Sequence, residues 1–135
     1  MKSCISLLAL ILFFCNCTKK VEPDIITQKT AILSSNTGKW QLNIVSINFI
    51  IQPLTAAQRS FIKSYSNNGN YSDTDGLNGT WTLPSADALE ESYTNFSSGI
   101  VVTQKFKINT LSTSQLNVTY VVNGKEITAN YNAIP

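Results

Sequence analysis

The stretch Gly38-Lys39-Trp40 opens a long apolar run from Leu42 to Ile51, and a similar triplet, Gly79-Thr80-Trp81, recurs further along the chain. In each triplet a glycine at an expected turn precedes a Trp near the start of an expected strand. A large aromatic ring in that position can plug one end of a small β-sandwich or β-barrel. The two triplets therefore predict a small β-protein with aromatic rings packed at one end.

The last predicted hairpin has the clearest pattern in the chain. Asn123-Gly124 is the preferred two-residue type I′ turn, and it places Val122 opposite Lys125. The apolar alternation then puts three cross-strand pairs on one face: Tyr120 with Ile127, Val118 with Ala129, and Leu116 with Tyr131. The turn and the hydrophobic pattern independently indicate the same register.

Other local signals predict short elements. The apolar alternation from Trp40 to Ile51 changes phase at Val45, which predicts a bulge or a sharp bend in one long strand. Thr55-Ala56-Ala57-Gln58 has the capping-box spacing and predicts a single helical turn. We expect Asp24 to cap a short helix over Ile25 to Leu33 that closes one end of the barrel, with a partly ordered linker as the alternative.

The whole pattern predicts an all-β domain over residues 37–135. Roughly eight strands are joined by short turns, and no helix is long enough to cross over a parallel sheet. The weakly patterned segment from Ala88 to Asn95 fits either a strand or a short helix. An antiparallel up-and-down meander of this size forms a two-layer sandwich or a barrel, and we favour the barrel because closure removes the exposed edges.

The N-terminus has the pattern of a targeting signal. Lys2 supplies positive charge, and the apolar run from Ile5 to Phe14 is too short to span a bilayer. Two cysteines, Cys15 and Cys17, follow where polarity begins, and this resembles a bacterial lipoprotein signal, in which cleavage exposes a Cys that receives a diacylglyceryl group. Asn16 is a suitable small residue before the cleavage point, which favours Cys17 over Cys15. An ordinary secretory peptide is the alternative.

The lipoprotein resemblance implies three segments: a signal peptide over residues 1–16, a tether with the short helix over residues 17–36, and the barrel domain. The acyl chains on Cys17 would hold the protein on a lipid bilayer. No acidic cluster follows Cys17 of the kind that resembles a surface-export tag. We therefore expect anchoring to the outer membrane with the domain facing the periplasm.

A second resemblance concerns the barrel itself. Thr37-Gly38-Lys39-Trp40 resembles the glycine-any-tryptophan motif that opens lipocalins. The order of lipoprotein signal, short helix and Gly-x-Trp strands is similar to the lipocalin-like domains of small lipoproteins in the Bacteroidetes, over Thr37 to Tyr131. Thr74-Asp75-Gly76 lacks the aromatic residue of the second lipocalin motif, and no Arg near the C-terminus can stack on Trp40. The resemblance therefore implies the fold but does not carry over classical lipocalin ligand chemistry.

Composition argues against several functions. The sequence has no His, which removes the usual general base, most zinc sites and Ser-His-Asp or Cys-His catalysis. Ten Lys or Arg and eight Asp or Glu are scattered along the chain, so a nucleic-acid partner is not expected. After cleavage Cys17 is the sole cysteine, so no internal disulfide is expected. We expect a monomer that is not an enzyme and has no cofactor; a Ser-Lys or carboxylate pair stays open.

Two acidic stretches are candidate sites. Glu90 and Glu91 are adjacent, but neighbours on a strand point to opposite faces, so we expect solvated surface rather than a shared site. Asp73-Thr74-Asp75-Gly76 does not fit the ends of a calcium-binding loop. A looser calcium site that also uses Asn78 is the alternative to an ordinary hairpin turn, and we expect no metal.

Seven aromatic residues are candidates to line the barrel: Trp40, Phe61, Tyr65, Trp81, Phe106, Tyr120 and Tyr131. They can surround a cavity for a small hydrophobic ligand or fill the interior, because an eight-stranded barrel is just wide enough to be packed solid. Our first hypothesis is a lipocalin-like lipoprotein that binds such a ligand without catalysis. The second is a filled barrel that binds envelope proteins through its loops, and the third is an enzyme with a buried Lys beside Ser or Tyr.

Overall fold

The computed structural model describes residues 24–35 and 37–135. The predicted signal peptide, Cys15, Cys17 and the tether as far as Pro23 lie outside the described residues. The described chain contains two short helices and nine strands: α1 (Ile25–Leu33), β1 (Lys39–Ile47), β2 (Ile50–Gln52), α2 (Ala56–Arg59), β3 (Ile62–Tyr65), β4 (Asn70–Asp73), β5 (Asn78–Ser85), β6 (Ala88–Thr94), β7 (Val101–Leu111), β8 (Gln115–Val122) and β9 (Lys125–Ala133).

The strands form one antiparallel sheet that closes on itself. From β3 to β9 each strand pairs with the next along the chain, and β9 pairs with β1. The first part of β1 pairs with β3 and its last part pairs with β2. The strands β3 and β2 therefore share one strand position beside β1. The closed ring therefore has eight strand positions, and the predicted all-β barrel with a short helix is confirmed.

The first strand differs from its prediction. A bulge between Leu42 and Ile44, opposite β9, confirms the predicted change of phase. Leu42 is buried, whereas Ile44 is 40% exposed. The strand ends at Ile47 rather than Ile51, because Asn48 and Phe49 adopt φ values of 48° and 68° and turn the chain into a tight hairpin. Asn favours such a conformation but Phe does not, so only one of the two turn residues is typical of a turn.

One end of the barrel is closed by α1 and the two Trp rings. The helix spans the predicted residues, although the Asp24 side chain makes no capping hydrogen bond. Leu33, the last residue of α1, is fully buried, and the Leu33 carbonyl accepts a hydrogen bond of 2.8 Å from Nε1 of Trp40. Nε1 of Trp81 donates to the Ser66 carbonyl at 2.9 Å. Both buried indoles therefore have their polar atom satisfied, and they fill the end that the sequence predicted.

Other local predictions agree with the structure. Each pair predicted for the last hairpin is present, from Val122 opposite Lys125 to Leu116 opposite Tyr131. The capping box forms at α2, where Thr55 Oγ1 accepts from the Gln58 amide and Gln58 Oε1 accepts from the Thr55 amide. The ambiguous segment from Ala88 is the strand β6.

The glycine of each Gly-x-Trp triplet lies where a neighbouring strand comes unusually close. A Cβ on Gly38 would lie 2.1 Å from the carbonyl oxygen of Tyr65, and a Cβ on Gly79 would lie 1.9 Å from that of Ser92. Gly38 also has a φ of +63°. Only glycine fits there, because any side chain would push the strands apart next to the Trp that fills the closed end.

We predict that Gly38→Ala destabilises the barrel much more than Gly124→Ala. Both glycines have positive φ, but nothing lies within 4 Å of a Cβ on Gly124. Gly124→Ala should cost only the backbone strain, about 1–2 kcal/mol. Gly38→Ala adds the collision with Tyr65, about 1–3 kcal/mol more. Urea unfolding measures both values, and equal losses of unfolding free energy would contradict the close approach.

Candidate functional site: the barrel cavity

The barrel encloses a cavity of about 410 Å³. It opens at the end opposite α1, where the turns β1–β2, β4–β5, β6–β7 and β8–β9 lie. Its walls come from inward-facing positions of the strands, which alternate with outward positions along each strand. The apolar part of the lining consists of Leu42, Val45, Ile47, Phe61, Leu77, Phe106, Ile127 and Ala129, together with the rings of Tyr71, Tyr93, Tyr120 and Tyr131.

The seven aromatic residues predicted to line the barrel divide into two groups. Four of them line the cavity: Phe61, Phe106, Tyr120 and Tyr131. The others, Trp40, Tyr65 and Trp81, are buried at the closed end, where the rings of Tyr65 and Trp81 meet edge to face at 5.6 Å. The barrel is therefore filled at one end and hollow at the other, and each predicted alternative describes one half of it.

A buried ion pair lies at the floor of the cavity. Nζ of Lys63 on β3 lies 2.8 Å and 2.7 Å from the two carboxylate oxygens of Glu91 on β6. The residues are only 7% and 2% exposed. The Tyr65 hydroxyl donates a further hydrogen bond to Glu91. Since β4 and β5 separate β3 from β6 in the sheet, the pair joins strands across the interior rather than along the wall.

Aromatic rings surround the ammonium group of Lys63. Its Nζ lies 4.5 Å from the ring centroid of Phe106, 5.4 Å from that of Tyr71 and 5.9 Å from that of Tyr131. The electron-rich faces of these rings attract the cation. Together with the two bonds to Glu91, they offset part of the cost of removing the charge from water.

The prediction that Glu91 belongs to solvated surface is wrong. Adjacent positions do point to opposite faces, as expected: Glu90 pairs with Lys105 at 3.3 Å on the outside, while Glu91 is buried inside. The signal that was missed is the spacing of two residues, which puts Glu91 on the same inward face of β6 as the fully buried Leu89. Lys63 alternates with Tyr65 along β3 and shares its inward face, but no local pattern identifies its partner across the barrel.

The Asp73 carboxylate has a structural role in the β4–β5 turn. Its Oδ1 accepts hydrogen bonds of 3.0 Å from the amides of Asp75 and Leu77, and its Oδ2 accepts one of 2.5 Å from the Tyr71 hydroxyl. This is the arrangement of an Asx turn, the alternative to a calcium site. Among the described residues, no group of three or more His, Cys, Asp or Glu side chains is placed to hold a metal ion.

Three tyrosine hydroxyls at the cavity, those of Tyr93, Tyr120 and Tyr131, have no hydrogen-bond partner within the described part of the chain. Burial raises the pKa of Tyr131 well above 10.0, and the neighbouring Tyr120 and Glu91 raise it further. Burial and then Glu91 also raise the pKa of Tyr120. The hydroxyls of Tyr120 and Tyr131 therefore stay protonated at neutral pH and can donate as well as accept a hydrogen bond.

Apolar side chains are exposed on three of the turns around the cavity mouth. Phe49 is 85% exposed at the tip of the β1–β2 hairpin. We call the exposed set the apolar rim; it comprises Phe49, Ile50 and Ile51 of the β1–β2 hairpin, Phe96, Ile100 and Val101 of the β6–β7 turn, and Val121 and Val122 beside the β8–β9 turn. Single exposed apolar residues are ordinary, but several at one end of a small domain mark a surface that meets an apolar molecule.

We predict that Glu91→Leu lowers the free energy of unfolding by about 3–5 kcal/mol, because it leaves the buried Lys63 ammonium without its carboxylate. Replacing both partners, as Lys63→Met with Glu91→Leu, should recover most of that loss. Glu90→Leu is the matched control, since its pair with Lys105 is exposed and contributes about 1 kcal/mol or less. Chemical denaturation measures all three. A double variant no more stable than Glu91→Leu would show that the pair is not the cause.

Comparison of the chain with protein-family models, with curated proteins and with solved structures found no match. The resemblance to lipocalin-like lipoproteins therefore stays a prediction from short sequence motifs, with which the barrel fold is consistent. None of the helices within residues 24–35 and 37–135 has the length and apolar character needed to cross a membrane.

Proposed function

We propose that this protein is a lipid-anchored carrier or receptor that binds one small hydrophobic molecule in its barrel, without catalysis. The observation that carries the proposal is the cavity of about 410 Å³, which opens at one end and has mainly apolar walls. Ligand sites in proteins are typically concave and apolar, with volumes of about 300–1,000 Å³ and a few polar groups. The cavity has this size and composition.

The apolar rim supports the same function. A hydrophobic molecule must leave water, a membrane or another protein before it reaches the cavity, and exposed apolar side chains at the mouth lower the cost of that transfer. Phe49 and Phe96 lie on turns of two different hairpins at this end. The closed end has the opposite character, because the buried side chains of Leu33 in α1 and Trp40 pack across it.

The buried Lys63 beside tyrosines is the feature expected of an enzyme, and its geometry favours binding instead. A catalytic Lys acts as a base or nucleophile through a free amine. The Lys63 ammonium donates to both oxygens of Glu91, and the nearby Tyr65 hydroxyl donates to the same carboxylate. The amine is therefore held by its partners rather than free to act as a base or nucleophile, so we propose that the pair supports the cavity floor.

A second candidate function is protein binding through the loops, and the apolar rim is the observation that favours it. In that function the rim docks on an envelope protein and the cavity is incidental. The two functions differ in what fills the cavity, and a ligand that occupies it separates them.

The anchor is part of the proposal. A diacylglyceryl group on Cys17 would hold the chain on the outer membrane by more than one acyl chain, which is enough for stable attachment. The tether would then join the barrel through α1, whose Lys29 donates to the Ala86 carbonyl at the closed end. In this arrangement the cavity mouth faces away from the anchoring membrane, towards the periplasm.

We predict that Val45→Phe strongly weakens ligand binding while Ile44→Phe does not. Val45 lines the cavity, whereas its neighbour Ile44 points outward. The probe is N-phenyl-1-naphthylamine, an uncharged dye that fluoresces in apolar sites, and the protein is the mature chain from residue 17 with Cys17→Ser to omit the lipid. Val45→Phe should weaken binding at least about tenfold, since the added ring occupies ligand volume at an overpacking cost of about 1–3 kcal/mol.

A one-to-one complex with the unmodified barrel is the expected starting point of this titration. Unfolding by urea provides the control that both variants are folded. If the dye fails to bind, or if Ile44→Phe weakens binding as much as Val45→Phe, the cavity is not the binding site and the rim becomes the better candidate.

We predict that Cys17→Ala, but not Cys15→Ala, releases the protein from the membrane. The full-length chain is expressed in a host that processes bacterial lipoproteins, and the fractions are analysed by intact mass. The Cys15→Ala protein should begin at Cys17 and carry the added mass of acyl chains, which follows from cleavage after Asn16. Acylation of Cys15, or an unmodified secreted chain, would overturn the proposed anchor without affecting the binding proposal.

A further inference from the structure

We propose that the ligand carries an uncharged, oxygen-bearing head group, a hydroxyl or a carbonyl, that hydrogen-bonds to the Tyr131 hydroxyl near the cavity floor. This inference rests on the proposed function and assigns the chemical class of its ligand. It follows from a cavity-lining hydroxyl that has no partner in the described part of the chain and from the charges that surround it.

Tyr131 offers a hydroxyl to the cavity. Its side chain lines the cavity and the residue is only 4% exposed. Within the described residues its hydroxyl makes no hydrogen bond, unlike those of Tyr65 and Tyr71, which donate to Glu91 and Asp73. The hydroxyl is not fully enclosed by protein, since Asn130 Oδ1 is the one enclosed side-chain polar atom without a partner among these residues. A ligand head group can therefore reach the Tyr131 hydroxyl and supply the hydrogen bond that the protein does not.

The surrounding charges disfavour an anionic head group. The charged residues that line the cavity are one cation, Lys63, and three carboxylates, Asp73, Asp75 and Glu91. The charge of Lys63 is already compensated by the two short bonds to Glu91. A carboxylate or phosphate near Tyr131 would therefore meet net negative charge and lose its hydration without gaining a free cation.

A cationic head group is disfavoured for a different reason. The net negative charge around the cavity attracts an ammonium ion, but Nζ of Lys63 lies 5.9 Å from the Tyr131 ring centroid and repels such an ion at the floor. The oxygens of Glu91 and Asp73 already accept hydrogen bonds from the protein. An uncharged hydroxyl or carbonyl avoids both penalties and still satisfies Tyr131.

The test compares three ligands of equal chain length on the mature chain from residue 17 with Cys17→Ser. The ligands are dodecan-1-ol, dodecanoate and dodecylammonium, and each displaces N-phenyl-1-naphthylamine at neutral pH. The alcohol should bind at least about tenfold more tightly than either ion, because a buried unpaired charge costs far more than a neutral polar group. Tighter binding of either ion would overturn the inference.

Tyr131→Phe then tests the assigned partner. Removing one hydrogen bond of about 0.5–1.5 kcal/mol should weaken dodecan-1-ol about twofold to tenfold, and more than it weakens the dye. Thr103→Val removes a hydroxyl from the exposed face of β7, where it pairs with Ser92, and should change neither affinity. An alcohol affinity that is unchanged in Tyr131→Phe, or reduced by Thr103→Val instead, would overturn the assignment.

The outcomes separate this inference from the proposed function. If the dye binds and Val45→Phe blocks it, but the three head groups bind equally, the barrel is a hydrophobic carrier without the head-group selection argued here. If neither the dye nor any of the ligands binds, the proposed function fails and the inference fails with it. The comparison of head groups uses unmodified Tyr131, so it stands even if Tyr131→Phe does not fold.

Discussion

The ion pair between Lys63 and Glu91 is the interaction that divides this barrel. Burying two charges is expensive, and only close bidentate geometry with further hydrogen bonds makes it tolerable. Here the Tyr65 hydroxyl and the ring of Phe106, 4.5 Å from Nζ, complete the surroundings of the pair. Aromatic and aliphatic side chains pack solid on one side of it, and the cavity lies on the other. The pair thus forms the floor of the cavity.

The asymmetry of the two ends follows from the chain itself. Gly38 and Gly79 let neighbouring backbones approach closely, and each precedes a Trp whose ring fills the closed end. Leu33, the last residue of α1, covers the closed end of the barrel, and its carbonyl accepts a hydrogen bond from the Trp40 indole. No comparable plug occurs among the described residues at the other end, where smaller side chains such as Val45 and Ala129 leave space. The interior of an eight-stranded barrel can be filled by side chains or can hold one small molecule. In this barrel the closed end is filled and the other end is hollow.

Much of the fold could be predicted from local sequence, because the deciding signals are local. The Asn123-Gly124 turn fixes a register that the apolar alternation repeats, and Thr55 with Gln58 specifies a helical turn within four residues. The site could be predicted only in part. Aromatic residues of the lining were identified, but the partner of Lys63 lies 28 residues away across the interior. Whether rings fill a barrel or line a cavity depends on volumes summed over all strands, which no single stretch contains.

We propose that the space above the ion pair holds a small molecule in the cell. Native mass spectrometry of the protein, purified from its own envelope and compared with the same sample after denaturation, would detect that molecule. We expect one additional mass that leaves on unfolding and belongs to an uncharged, oxygen-containing amphiphile. A chain that carries no such mass, from an envelope in which it is abundant and folded, would contradict the carrier function and direct attention to the apolar rim.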